Sequence, residues 1–206
     1  TSWTESNILS RASADKGLTD AGSANAVDGD FGTVGFIDQT KNDIFITDGF
    51  TWSESDFTKG VSSWYVWNNF TIYNASNVRS NMTSSFQYNV SGIIEIFNST
   101  WDGSLSDMVF KTPAQLANIS NSNVFGMDDA GFNALQVLLF NSLVGCGANN
   151  GSNRFDVNAS VVLLQSGSEV LGNLNLSAVN LTVDSSSVLN ASGLGYSGGS
   201  TGHLDG

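Results

Sequence analysis

The chain has 206 residues, with 7 Lys and Arg against 19 Asp and Glu, which gives a net charge of −12 at pH 7. An acidic chain without a basic cluster cannot displace the counterions of nucleic acid or of an anionic membrane surface, so we expect neither as a partner. Apolar residues make up 40% of the sequence and aromatic residues 11%, which is enough for a packed core and excludes disorder over the whole length. Only 13% of residues are charged, so solubility has to come from Ser, Thr, Asn, Gly and any groups attached to them.

The sequence also argues against membrane insertion and against a disulfide framework. The longest apolar stretch, residues 134–144, is interrupted by polar side chains and falls far short of the ~20 residues that a membrane span needs. The single cysteine, Cys146, can form neither an intramolecular disulfide nor a Cys-x-x-Cys zinc site. No histidine or other base lies near it in sequence to activate the thiol, so we expect a small buried cysteine.

The first 60 residues are rich in turns, and short apolar runs at residues 34–37 and 44–47 predict two strands between Gly and Asp turns. Within this region, residues 23–33 (SANAVDGDFGT) resemble the Asn-Ala-Val-Asp-Gly-Asp-x-x-Thr turn of discoidin-like (coagulation-factor C-type) jelly-roll modules. The resemblance, at residues 25–33, implies an extracellular β-sandwich that binds glycans, lipids or protein surfaces and holds a structural calcium ion. Asp28, Asp30 and Thr33 could supply oxygen ligands for Ca²⁺. The alternative is an Asx-type turn without a metal.

The next predicted strand runs through the aromatic segment that begins at Trp64. Alternation of side chains along a strand puts one set on the core face: Trp64, Val66, Phe70 and Ile72. Tyr65 and Trp67 then lie on the outer face, where they could stack on a sugar ring or an apolar partner, unless both faces are buried between two sheets. By the same alternation Asn74 would point toward the core, so the strand must end or bulge near Tyr73 if Asn74 carries a glycan.

Further strands are predicted in the middle of the chain, together with one helix start. Residues 93–97 read as a strand. Thr112 and Pro113, followed by Gln115, have the features of a helix N-terminus. Residues 132–140 fit both a helical face and a strand face, and we favour the strand.

From Phe155 onward the sequence changes to small polar residues with regularly recurring Val and Leu. Residues 162–168 align with residues 181–187 at an offset of 19, which suggests the rungs of a solenoid. The alternation of Leu and Val positions shifts by one residue within residues 177–180. This shift predicts a corner there and leaves Asn175 and Asn180 pointing outward. Residues 180–199 resemble surface proteins of the parallel β-helix class that run into Gly-rich tails.

The Asn-x-Ser/Thr sequon is the strongest pattern in the sequence. It takes up 11 of the 23 asparagines, about twice the number expected from random placement of Ser and Thr. A Ser-rich and Asn-rich β protein can generate sequons by chance, but N-linked glycans would supply the missing solvation and mask sheet surfaces, so we interpret them as glycosylation sites. They are Asn69, Asn74, Asn81, Asn89, Asn98, Asn118, Asn150, Asn158, Asn175, Asn180 and Asn190.

Catalytic chemistry has little support. His203 is the only histidine and lies in the Gly-rich tail, so a Ser-His-Asp arrangement would depend on a mobile residue. An acidic pair for glycoside cleavage could come from several carboxylates, but their spacing selects no two of them. These are Glu95, Asp102, Asp107, Asp128 and Asp129.

These observations predict an all-β chain with a β-sandwich or jelly-roll body over residues 1–147, a β-rich segment over residues 148–192 whose repeat suggests a solenoid, and a Gly-rich tail over residues 193–206. The alternative fold is a single right-handed parallel β-helix. For function, we expect a non-enzymatic, extracellular, N-glycosylated structural protein that self-assembles into a surface fibril, a sheath or a cell-envelope layer. A glycan-binding or adhesion module of a larger secreted protein is the alternative, and an enzyme of the β-helix polysaccharide class comes third.

Overall fold

The computed structural model describes residues 33–38, 41–53, 64–75, 77–81, 87–103, 108–126, 129–146 and 154–191. All regular elements in these ranges are β-strands, and no helix there is long and apolar enough to span a membrane. In chain order the strands are β1 (Thr33–Asp38), β2 (Asp43–Ser53), β3 (Trp64–Trp67), β4 (Phe70–Tyr73), β5 (Asn77–Asn81), β6 (Gln87–Val90), β7 (Ile93–Phe97), β8 (Thr100–Gly103), β9 (Met108–Ser120), β10 (Asn123–Gly126), β11 (Asp129–Phe140), β12 (Leu143–Cys146), β13 (Arg154–Gln165), β14 (Glu169–Leu171), β15 (Asn173–Val183) and β16 (Val188–Asn190).

The strands form a parallel β-solenoid with three faces. Face 1 stacks seven strands in the order β2, β4, β7, β9, β11, β13 and β15. Face 2 stacks β5, β8, β10, β12, β14 and β16, with residues 49–53 of β2 beside β5. Face 3 pairs β3 with β6 and continues through the first halves of β9, β11, β13 and β15. The pairs within these stacks are parallel, and among the described strands only β1 pairs antiparallel, with β2.

The core is built from columns of identical or similar side chains, because equivalent residues of successive rungs pair in register. One column of inward-pointing side chains on face 1 consists of Ile46, Ile72, Ile96, Ile119, Leu139 and Leu164, all at most 3% exposed. Full burial of each such side chain contributes about 1.5–3 kcal/mol of hydrophobic stabilisation.

Aromatic rings from all three faces meet in the interior. Phe70 packs against Tyr88 and Trp101, each with ring centroids 5.6 Å away, and Tyr88 packs against Phe110 at 5.1 Å. The chain of rings continues from Phe110 to Phe132, with centroids 5.3 Å apart. Phe70, Tyr88, Trp101, Phe110 and Phe132, each at most 2% exposed, are therefore core material.

The all-β class and the alternative fold, a single parallel β-helix, are therefore confirmed. The sandwich body expected over residues 1–147 is wrong for the described residues, because a sandwich is built from antiparallel strands, whereas the described strands between residues 64 and 146 pair in parallel. Pairing also continues across residue 147, since β11 pairs with β13 and β12 pairs with β14.

Individual strand predictions are mostly confirmed. The runs at residues 34–37, 44–47 and 93–97 lie within β1, β2 and β7, and residues 132–140 lie within β11. The helix predicted to begin at Thr112 is wrong, because that residue and Pro113 lie within β9. The pairing of β9 with β11 is irregular at this point, and such a bulge accommodates a proline, which has no N–H to donate to the ladder.

The outward placement of Trp67 is wrong, since this side chain is only 8% exposed. A corner at Asn68 separates β3 from β4 and resets the alternation, so Trp67 and Phe70 both face the core. The burial predicted for Phe70 and Ile72 is confirmed, and so is the end of the strand at Tyr73. The side chain of Tyr65 lies outside the described part of the chain.

The C-terminal repeat and its corner are confirmed. Val162 pairs with Leu181 and Leu164 with Val183, which is the 19-residue offset seen in the sequence. The pairing of β13 with β15 skips one residue at the predicted corner, where Val179 points outward with 80% of its surface exposed. Asn175 and Asn180 are both exposed, as expected.

Candidate assembly and modification surfaces

Asparagine occupies the corner between face 1 and face 2 in four successive rungs. Asn74, Asn98, Asn121 and Asn141 have φ angles of 52°, 46°, 50° and 45°, in the left-handed region that Asn adopts more readily than most other residues with a Cβ. Their side-chain amides join neighbouring rungs: Asn98 Nδ2 donates to Asn74 Oδ1 at 2.9 Å, and Asn141 Nδ2 donates to Asn121 Oδ1 at 2.9 Å. These asparagines therefore have a structural role at the corner, which the sequon pattern alone did not reveal.

A column of buried serines lies next to these corner asparagines. The hydroxyl oxygen of each serine accepts a hydrogen bond from a backbone N–H of the preceding rung, as from Ser122 N to Ser142 Oγ at 3.1 Å. Three of the hydroxyls also donate to the carbonyl two residues back, as from Ser142 Oγ to Phe140 O at 2.8 Å. The column thereby satisfies backbone groups that water cannot reach. Its members are Ser99, Ser122, Ser142, Ser168 and Ser187, each at most 9% exposed.

The last corner uses a carboxylate instead of an asparagine amide. Asp184 Oδ2 accepts the backbone N–H of Ser166 at 2.6 Å, and Oδ1 accepts the backbone N–H of Ser186 at 3.0 Å. The hydrogen bond from the Ser166 backbone, followed by the one from the Ser187 side chain, holds the pKa of Asp184 well below its ordinary value. The carboxylate therefore ties the terminal rung to the rung before it.

The described sequon asparagines all have access to solvent. Five of them are exposed: Asn74, Asn98, Asn158, Asn175 and Asn180. Four more are half-buried: Asn69, Asn89, Asn118 and Asn190. The side chain of Asn81, which ends β5, and the whole of Asn150 lie outside the described part.

Several of these asparagines already use the amide nitrogen that a glycan would join. Asn69 Nδ2 donates to Asp43 Oδ1 at 3.0 Å, and Asn190 Nδ2 donates to Glu169 Oε1 at 2.7 Å. Since an N-linked amide keeps one hydrogen, such a bond restricts the glycan's direction without excluding it. Asn180 is exposed, and no hydrogen bond to the described residues occupies its amide.

The last rung of the described part leaves residues of the core columns uncovered. Leu181 and Val183 continue the columns of Val162 and Leu164, which are 2% and 0% exposed, yet they are themselves 46% and 38% exposed. The difference arises because β15 ends the strand order, with no strand paired beyond it among the described residues. At the other end of face 1, the antiparallel strand β1 pairs with β2. The two ends of the described stack are therefore unlike.

The outer side of face 1 is the second apolar surface. Between residues 93 and 165, twelve side chains point outward from β7, β9, β11 and β13, and Glu95 is the one charged group among these twelve. Ile93 is 42% exposed and Phe140 46%. The twelve residues are Ile93, Glu95, Phe97, Leu116, Asn118, Ser120, Gln136, Leu138, Phe140, Val161, Leu163 and Gln165.

A small groove with both apolar and polar lining lies on face 3, where β9 is irregular. It has a volume of about 170 Å³ and is lined in part by Lys111, Asn133, Asp156 and Asn158. Asn133 Nδ2 donates to Lys111 O at 2.7 Å, so the groove wall is partly held by its own hydrogen bonds. Gly131 lines the floor, and a Cβ there would lie 2.3 Å from Asp156 O, so the rungs can approach this closely only with glycine.

Most of the predicted metal and catalytic residues lie outside the described part of the chain. Asp28 and Asp30 lie outside the described residues, and Thr33 begins β1. No cluster of three His, Cys, Asp or Glu side chains occurs in the described ranges. Glu95 lies on face 1 and Asp102 on face 2, so these two carboxylates are on different sides of the solenoid. Asp107, Asp128 and His203 lie outside the described residues, as does the side chain of Asp129.

The single cysteine is buried, as predicted: Cys146 is 2% exposed. The chain matches no protein-family model. It likewise matches no curated protein and no solved structure. The stacked parallel rungs agree with the predicted likeness to β-helix proteins, whereas the discoidin resemblance at residues 25–33 receives no support.

Proposed function

We propose that this chain is a non-enzymatic, N-glycosylated structural protein of the cell exterior that polymerises end to end through its terminal rung. The observation that carries the proposal is the exposure of Leu181 and Val183, two members of core columns that are buried in every earlier rung. The edge of β15 offers backbone donors and acceptors beside these side chains, so a strand of a second copy can pair with it. A joint of this kind continues both the sheet and the core.

Such a contact joins unlike surfaces and therefore builds an open filament unless its rotation closes a ring. The low charged fraction and the sequons on all three faces favour a glycan coat along the sides of this filament. Glycans on the sides leave the ends of the stack free, so coating and polymerisation are compatible. An extracellular location, N-linked glycans and a homopolymer are thus parts of one proposal.

The experiment that tests it places a charge on the open end. Leu181→Lys and Val183→Lys put a cation where a neighbour's core would have to form, and burial of an unpaired charge is strongly unfavourable. Val188→Lys is the matched control, because Val188 is 50% exposed on the same rung but belongs to an outward-facing position of β16. Light scattering at rising concentration should show polymers for the intact chain and for Val188→Lys, but monomers for the two end variants.

The proposal is contradicted by end variants that polymerise like the intact chain, or by an intact chain that stays monomeric at high concentration. Circular dichroism of the monomeric variants checks that they retain the β fold. Intact mass before and after enzymatic deglycosylation tests the glycan part separately, and a mass equal to that of the bare 21.7 kDa chain would refute it.

A glycan-binding module is the second candidate, and the groove on face 3 favours it. Lys111, Asn133 and Asp156 line this groove beside Phe110 and Phe132, and amide, carboxylate and ammonium groups next to aromatic rings are the chemistry that binds sugars. Lys111→Ala and Asn133→Ala should then weaken retention on an oligosaccharide array. Equal retention of the variants and the intact chain would leave the groove without this role.

A further inference from the structure

Asn118 lies near the middle of the apolar outer side of face 1. Its pairing partners on the neighbouring rungs are Glu95 and Leu138, so strands of the sheet flank it on both sides. It is half-buried, and it begins the sequon that ends at Ser120. A sequon in this position is unlike the exposed ones at Asn158 and Asn175, which have polar neighbours.

Ser120 forms a notch between two aromatic side chains. It pairs with Phe97 on one side and with Phe140 on the other, so about 10 Å separates the strands that carry the two rings. The Phe97 ring stacks on Tyr73 with centroids 4.9 Å apart, and Phe140 is 46% exposed. The small serine between them leaves a shallow, uncharged recess with aromatic walls.

The amide oxygen of Asn118 is oriented toward this notch. Ser120 Oγ donates to Asn118 Oδ1 at 3.3 Å, which holds the amide beside the serine. No hydrogen bond to the described residues occupies Asn118 Nδ2, in contrast to the amides of Asn69 and Asn190. The nitrogen that accepts a glycan is therefore available on the side of the amide that points away from Ser120, one residue pair along the strand from the notch.

A sugar ring suits the chemistry of this surface. Pyranose rings have an apolar C–H face that packs on aromatic rings and polar hydroxyls around the edge. The C–H face would meet Phe97 and Phe140, while hydroxyls could reach Glu95 and Gln136, which also point outward on this face. Covering these rings would remove a contiguous apolar area from water, and such areas are otherwise sites of association.

We propose that the N-linked glycan of Asn118 folds over the notch at Ser120, between Phe97 and Phe140, and shields the outer side of face 1. This inference rests on the proposed glycosylation of the chain. It assigns one sequon the specific task of preventing sideways association, so that copies join at their ends only.

The experiment compares Asn118→Gln with Asn158→Gln in the full chain produced by a glycosylating secretory host. Each variant removes one sequon by a conservative change, and Asn158 is the matched control because it is exposed beside Asn133 in a polar setting. Glycopeptide masses report occupancy at each site, and the fluorescence of an apolar dye reports exposed apolar surface. We expect a loss of one glycan mass from both variants, but a rise in dye fluorescence and lateral association only for Asn118→Gln.

A second variant tests the contact between glycan and rings. Phe140→Ser keeps the sequon but removes one wall of the notch, so an endoglycosidase should release the Asn118 glycan faster than in the intact chain, with release at Asn158 unchanged. Unchanged release at Asn118 would contradict the proposed contact. An empty Asn118 in a chain glycosylated elsewhere would overturn this inference alone, whereas a chain without any glycan would overturn the glycosylation on which it rests.

Discussion

Replacing Ser142 by alanine tests whether the serine column holds the rungs together. Ser142 is 4% exposed, and its hydroxyl oxygen is the acceptor for the buried N–H of Ser122 at 3.1 Å. The hydroxyl also donates to the carbonyl oxygen of Phe140. This oxygen still accepts the N–H of Asn121, at 2.9 Å, when the hydroxyl is removed. Alanine fits the space, since Ala75 is fully buried at the start of the same column. The main cost is therefore one unsatisfied buried N–H, or about 1–3 kcal/mol of the free energy of unfolding.

Urea denaturation measures this cost, as a lower midpoint with an unchanged m-value. Ser185→Ala is the control, because Ser185 is exposed at the last corner and lies outside every sequon, so its substitution should change stability by less than about 0.5 kcal/mol. Hydrogen exchange gives a local readout, in which the Ser122 amide should lose protection in Ser142→Ala. Equal midpoints for the two variants, with the Ser122 amide still protected, would refute the role assigned to the column.

Four further predictions concern the corner asparagines, the terminal carboxylate, the calcium turn and the N-terminal region. Asn121→Ala should destabilise the fold by about 1–2 kcal/mol because of its positive φ, while Asn121→Gly should recover most of that loss in the same melts. Because the pKa of Asp184 is lowered, its contribution to stability is present above the ordinary carboxyl pKa of 3.8 and is lost as the pH falls below about 4. The melting temperatures of the intact chain and Asp184→Asn should therefore converge in acid. A difference in melting temperature that stays constant with pH would contradict this. If Asp28 and Asp30 hold Ca²⁺, EDTA should lower the melting temperature, and an identical melting curve would leave a metal-free Asx turn. Deleting residues 1–20, which lie in the aromatic and sequon-free region of residues 1–68, should abolish polymers but leave a folded glycoprotein, unless filaments of unchanged repeat still form.

Local patterns of the sequence predicted most of the strands but not the way in which they stack. The offset of 19 residues was visible because residues 162–168 and 181–187 occupy successive rungs without a long insertion between them. Earlier rungs differ in length: Ile96 pairs with Ile119 and Ile119 with Leu139, which are offsets of 23 and 20 residues. A repeat of variable length escapes an alignment at fixed spacing, which is why a sandwich was expected for residues 1–147.

The candidate surfaces were only partly accessible from the sequence. The alternation of apolar side chains predicted the corner within residues 177–180, because a strand that passes to another face shifts this alternation by one residue. The corner at Asn68 was missed, because the aromatic residues on both sides of it read as one strand. The corner pairs Asn98-Ser99, Asn121-Ser122 and Asn141-Ser142 offered a signal for the stacked corners, but an asparagine before a serine also suits turns and sequons. Exposure of Leu181 and Val183 depends on their place in the last described rung, which composition and periodicity do not indicate.

Fibre diffraction combined with electron microscopy of the intact, glycosylated chain tests the central claim most directly. End-to-end stacking predicts unbranched filaments with a meridional reflection at about 4.8 Å, because the strands run across the axis. The seven strands of face 1 contribute about 34 Å to the length of each subunit along that axis. Isolated particles at every concentration, or filaments without the 4.8 Å meridional reflection, would contradict assembly through the terminal rung.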